Sequence, residues 1–91
     1  DTVPATLPAF MRAQKLQKRA ARCGAAQADK TEAQQALQEA VEHWNETSGA
    51  EAAGELLFAA ANAMRLAGVD AEEALTFASR RFCEEQKKQN P

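Results

Sequence analysis

Apolar positions along this chain recur every three to four residues and nowhere alternate over a strand's length. That period belongs to an α-helix buried along one side. Four stretches carry it. The first runs from about Pro8 to Arg22. Phe10, Ala13, Leu16, Gln17, Ala20 and Ala21 lie on one side, and Arg12, Lys15, Lys18, Arg19 and Arg22 on the other. Pro8 suits a first helical turn, and Gly24 ends the helix. The second opens on a capping box formed by Thr31 with Gln34, and its apolar stripe is Ala33, Leu37, Ala40, Val41 and Trp44. Ser48 with Glu51 forms another capping box that opens the third helix, which closes at Gly68. Ala53, Leu56, Leu57, Ala60 and Met64 supply the third helix's packing face. Asp70 with Glu73 starts the fourth, with Ala74, Leu75, Ala78 and Phe82 as its core stripe.

Connections this short place successive helices antiparallel. The expected fold is all-α: a compact antiparallel bundle of about four helices in a single domain spanning residues 1–91. Asp1–Leu7 reads as a flexible lead-in, Ala25–Asp29 as a linker, and Gln86–Pro91 as a fraying tail.

Composition changes this picture in one respect. The 45% apolar content is about half alanine, with one Trp and no Tyr. Alanine buries little area, whereas each buried Leu or Phe contributes about 1.5–3 kcal/mol. A domain of 91 residues with so thin a core is expected to bury more surface by self-association, as a homodimer or homotetramer. No apolar run approaches the ~20 residues that span a bilayer, so no membrane partner is expected. The chain begins without the basic-then-apolar pattern of a secretory signal, and Cys23 and Cys83 show no metal-ligand spacing. The expectation is reduced thiols and a cytoplasmic setting.

A formal net charge of -2 argues against nucleic-acid binding, but the charge is sorted. From Thr31 to Leu75 the only basic side chain is Arg65, among many Asp and Glu; most Lys and Arg lie in the first and last helices. Two readings fit. The middle of the chain could hold a metal, with flanking cations for an anionic ligand, or acidic and basic helices could pair across a bundle surface.

The third helix carries the most informative chemistry. Glu51, Glu55, Phe58 and Asn62 share one narrow stripe, opposite the packing face. One turn separates its two carboxylates, the kind of oxygen donor that Mg²⁺ takes from proteins. Glu39 and Glu42 lie three apart on the second helix, so their oxygens can converge. His43 has no partner at matching spacing and reads as a surface histidine, and Trp44 reads as packing in the core or at a subunit contact.

Gly54-Glu-Leu-Leu-Phe58, then Asn62, then Arg65-Leu-Ala-Gly-Val-Asp70-Ala-Glu-Glu-Ala-Leu75 resemble the signature of MazG-type nucleoside triphosphate pyrophosphohydrolases. The segment Leu7 to Gly24 resembles the lead helix of that domain, and together the two motifs cover Leu7 to about Phe82. The resemblance implies an all-α domain that dimerises or tetramerises. It also implies Mg²⁺-dependent (or Mn²⁺-dependent) cleavage of a nucleoside triphosphate to the monophosphate and pyrophosphate. Glu39 and Glu42 match the family's first carboxylate motif, and Glu55 stands where its second motif has Asp. Ala52 stands where that motif has Glu, with Glu51 one residue away. Ser79 and Arg81 occupy the places of an Asn and a Lys, and Glu84 and Glu85 replace basic residues.

The site this implies has Glu39, Glu42 and Glu55 as the catalytic metal-holding carboxylates, with Glu51 as a further ligand. Lys15, Lys18, Arg19, Asn62 and Arg81 would contact the nucleoside triphosphate. The departures at Ala52 and Ser79 define the alternative: a catalytically degenerate MazG-like module that serves oligomerisation or nucleotide binding.

Overall fold

The computed structural model describes residues 3–24 and 29–89. These form four helices and no strands: α1 (Ala9–Arg22), α2 (Lys30–Glu46), α3 (Ala50–Leu66) and α4 (Ala71–Gln89). The architecture is an all-α bundle, as the periodicity predicts. Most of the expected linker, Ala25 to Ala28, lies outside the described residues, as do the chain's first two and last two positions.

Two of the expected helix starts differ from the sequence reading. Asp29, not Thr31, caps α2: its Oδ1 accepts the Glu32 N–H at 2.8 Å, which leaves Thr31 inside the first turn. A carboxylate placed there satisfies an orphan donor and lies in the favourable field of the helix N-terminus. Ser48 does not cap α3. Its hydroxyl donates backwards to the Trp44 carbonyl at 2.9 Å and so helps close α2, while Gly49 precedes α3. The Asp70 start holds, with Asp70 Oδ1 accepting the Glu73 N–H at 3.0 Å.

Gly24 and Gly68 both take φ of 79°. At the end of α3 the Val69 N–H returns to the Met64 carbonyl (2.8 Å), and the Gly68 N–H to that of Arg65 (3.0 Å). This paired closure needs a left-handed residue at Gly68, which glycine adopts without a Cβ clash.

The four helices are unequal in packing. α3 is central, with α2 lying along it as a hairpin partner and α1 packing on another side. α4 meets α1 and α3, and its hydrogen bonds to α1 come from Ala71 and Glu72 at its start. The buried apolar residues are all alanines: Ala33 and Ala40 on α2, Ala52, Ala61 and Ala63 on α3, and Ala71 on α4. Alanine lets helix backbones approach closely, but among the described residues no large side chain is fully enclosed.

Polar staples add to this thin core. Gln14 on α1 donates through Nε2 to the carbonyls of Ala61 (2.9 Å) and Val69 (3.1 Å), and its Oε1 accepts the Ala71 N–H (3.1 Å). One side chain therefore ties α1 to the end of α3 and the start of α4. Gln17, itself buried, donates to the Phe58 carbonyl at 2.8 Å. Glu72 accepts the Phe10 N–H at 3.2 Å, where the first turn of α1 has no helical partner.

Several expected core positions are open. Val41, Trp44, Leu57, Met64, Leu75 and Phe82 are all exposed. From Leu75 to Gln89 every residue of α4 is exposed, and the helix runs through Gln86 where fraying was expected. The radius of gyration is 15.2 Å, against about 12 Å for a compact domain of this length. The molecule is a small helical body with a protruding arm.

Candidate functional site

A shallow groove runs between α2 and α3, with Glu39 and His43 on one wall and Glu55 and Phe58 on the other. Glu39 and His43 are one turn apart on α2, so both face α3. Alanines at 36, 40 and 59 form the floor and let the two walls come close. His43 Nδ1 and Glu55 Oε2 meet at 2.8 Å, with both side chains about half exposed. Sequence reasoning left His43 without a partner. The legible signal was its place one turn after Ala40 and two after Ala36, on the side of α2 that meets α3.

The four expected metal ligands are only partly brought together. Glu39 and Glu55 line the same groove. Glu42 and Glu51 are exposed and are not among the residues lining it; Glu51 sits in the first turn of α3 without a capping role. Among the described residues, no group of three or more His, Cys, Asp or Glu is placed to hold a metal ion. Mg²⁺ in proteins is commonly held by one or two carboxylates, with waters and substrate phosphates completing its shell, so Glu39 and Glu55 amount to a minimal donor pair, with Glu55 also bonded to His43.

The expected ligand contacts are dispersed. Asn62 was expected on an open polar stripe with Glu51 and Glu55, yet it is only 5% exposed. Its Oδ1 accepts from Arg65 Nε (3.0 Å) and Nη2 (2.9 Å). The reason is that α1 packs on this end of α3, where Gln14 and Gln17 bond the Ala61 and Phe58 carbonyls, so the Asn62 end of the stripe is covered while Glu51, Glu55 and Phe58 stay exposed. Lys15, Lys18 and Arg19 are exposed on α1, which does not pack on α2. Arg81 is exposed on the free part of α4. Cys23 and Cys83 are free and exposed.

Among the described residues the basic α1 packs on the acidic α3 but not on α2, and the acid–base contact present is the His43–Glu55 hydrogen bond, within the acidic middle of the chain. What the surface does offer is apolar. Val41 and Trp44 on α2, Leu57, Phe58 and Met64 on α3, and Leu75, Phe77 and Phe82 on α4 are all open to solvent. For so small a domain this is a large share of its bulky side chains, and exposed patches of this kind mark contact surfaces. No helix of the described residues is long and apolar enough to cross a membrane.

No protein-family model matches the chain, and no curated protein sequence matches it.

Proposed function

We propose that this chain is a self-associating helical module of MazG-like form, whose role is assembly. One observation carries the reading: among the described residues many bulky apolar side chains expected in the core are exposed, while the buried apolar positions are alanines. Burying those side chains against another copy supplies the apolar area that the single chain lacks. Two of the polar residues expected to work on a ligand are engaged within the chain: Asn62 holds Arg65, and Glu55 meets His43.

A second reading has a specific observation in its favour. Glu39 and Glu55 face each other across one groove, the arrangement expected of a Mg²⁺-dependent nucleoside triphosphate pyrophosphohydrolase that yields a monophosphate and pyrophosphate. With two carboxylates from the chain, waters and the substrate's phosphates would complete the cation's shell.

One set of measurements separates the two. Sedimentation of the purified chain from micromolar to submillimolar concentration is expected to show a reversible dimer or tetramer. The same samples, assayed for pyrophosphate release with Mg²⁺ and a panel of nucleoside triphosphates, are expected to show none. A monomer throughout this range refutes the assembly reading. Pyrophosphate release that disappears in Glu39→Gln and Glu55→Gln establishes the hydrolase instead.

A further inference from the structure

Among the described residues, the later part of α4 carries an apolar stripe that is left exposed. Leu75, Ala78 and Phe82 continue, at helical spacing, the line of Ala71 and Ala74 that meets the body. Leu75 is 49% exposed and Phe82 62%. From Leu75 to Gln89 the arm is roughly 22 Å long at 1.5 Å per residue. An isolated helix of that length is marginal in water, so the arm needs a packing partner.

The flanks of the stripe identify that partner. Successive residues turn by about 100°. Measured from Phe82, Arg81 and Glu85 therefore fall on one flank, and Ser79 and Gln86 on the other. Two copies of a helix that pack antiparallel bring like flanks together, and parallel copies bring opposite flanks together. With Phe82 on the two-fold axis of an antiparallel pair, Arg81 of each copy lies against Glu85 of the partner subunit. A parallel pair would set both charges against neutral Ser79 and Gln86. Among the described residues, neither Arg81 nor Glu85 has an ion-pair partner within the chain. Overlap limited to the free arms also keeps each partner's helix tip clear of the body at Ala71 and Ala74.

We propose that α4 of a second copy, running antiparallel, covers the Leu75/Ala78/Phe82 stripe. The Phe82 side chains meet at the two-fold axis, and two Arg81–Glu85 pairs fix the direction. This rests on the assembly reading above and names its surface. The interface is isologous, so one patch meets itself and the assembly closes as a dimer.

The test uses charge exchange at exposed positions that the monomer's fold does not need. Arg81→Glu places four carboxylates at the contact, and Glu85→Arg places four guanidiniums there. Each variant alone is expected to dimerise roughly tenfold more weakly than the parent chain at low salt. Mixed in equal amounts, the two recreate both opposite-charge pairs and are expected to form a mixed dimer at close to the parent's affinity. Circular dichroism confirms that helix content is unchanged. If the parent dimerises and neither variant weakens it, or if mixing restores nothing, the arm pairing is wrong while the assembly reading survives. A parent chain that stays monomeric removes both.

Discussion

Gln14 connects three helices, and nothing in the apolar pattern marks it. It lies on the buried side of α1, between Phe10 and Gln17, and its amide fills both of its roles. Its Nε2 answers two carbonyls where α3 ends, and its Oε1 answers the Ala71 N–H where α4 begins. Ala71 is almost fully buried, so water does not replace a lost partner there. Gln14→Ala therefore removes three hydrogen bonds and leaves a buried donor unmet, which costs about 2 kcal/mol. For a domain of this size that corresponds to a fall in Tm of roughly 10 °C. Thermal unfolding followed by circular dichroism checks this, and a change of only a degree or two would mean that Gln14 is not a staple. The same residue shows why the site was only partly legible. Asn62 and His43 also sit where helices meet, and a one-dimensional period cannot tell a polar residue facing solvent from one facing a neighbouring backbone.

At the scale of elements, what the sequence made visible was local. Helix existence, the Gly24 and Gly68 stops and the Asp70 start follow from propensity and turn chemistry within a few residues, and they stand. The starts of α2 and α3 did not, because Asp29 and Thr31, or Ser48 and Gly49, are competing candidates two residues or fewer apart. The Asp29 carboxylate decided the first, and it makes a pH prediction. The Glu32 N–H bonded to it holds its pKa below the ordinary value of 3.8. A carboxyl whose folded pKa is depressed stabilises the fold above its unfolded value and loses that contribution as pH falls through the folded one. The start of α2 is therefore expected to be at full strength above pH 3.8 and to weaken below it. Amide hydrogen exchange across the first turn of α2 should accelerate, relative to α3, as pH falls below that value. Asp29→Ala should abolish the difference, because it removes the titrating cap; an unchanged profile would assign the cap elsewhere.

At the scale of the whole molecule, the apolar pattern identified which faces are greasy but not what covers them. Periodicity assigned Leu75, Ala78 and Phe82 to a core, and Leu57 and Met64 to a packing face, yet a stripe reads the same whether it meets its own chain or another. In this fold the body ends near Ala74 and the stripe continues past it. Self-association then couples stability to concentration. A partner that binds only the folded form adds about 2.7 kcal/mol at a hundred times its dissociation constant. At 4–8 °C per kcal/mol, that raises Tm by roughly 10 °C or more. The parent chain should therefore melt progressively higher as its concentration increases above the dimer dissociation constant. Phe82→Asp places a charge in the middle of the stripe at a side chain that is 62% exposed, so it should disturb the monomer little. Its Tm should equal that of the dilute parent and stay flat with concentration. Melting curves of the two proteins over a hundredfold concentration range make the comparison. A flat parent curve would show that the single chain's alanine core is sufficient, and that the exposed stripe contributes nothing to holding it folded.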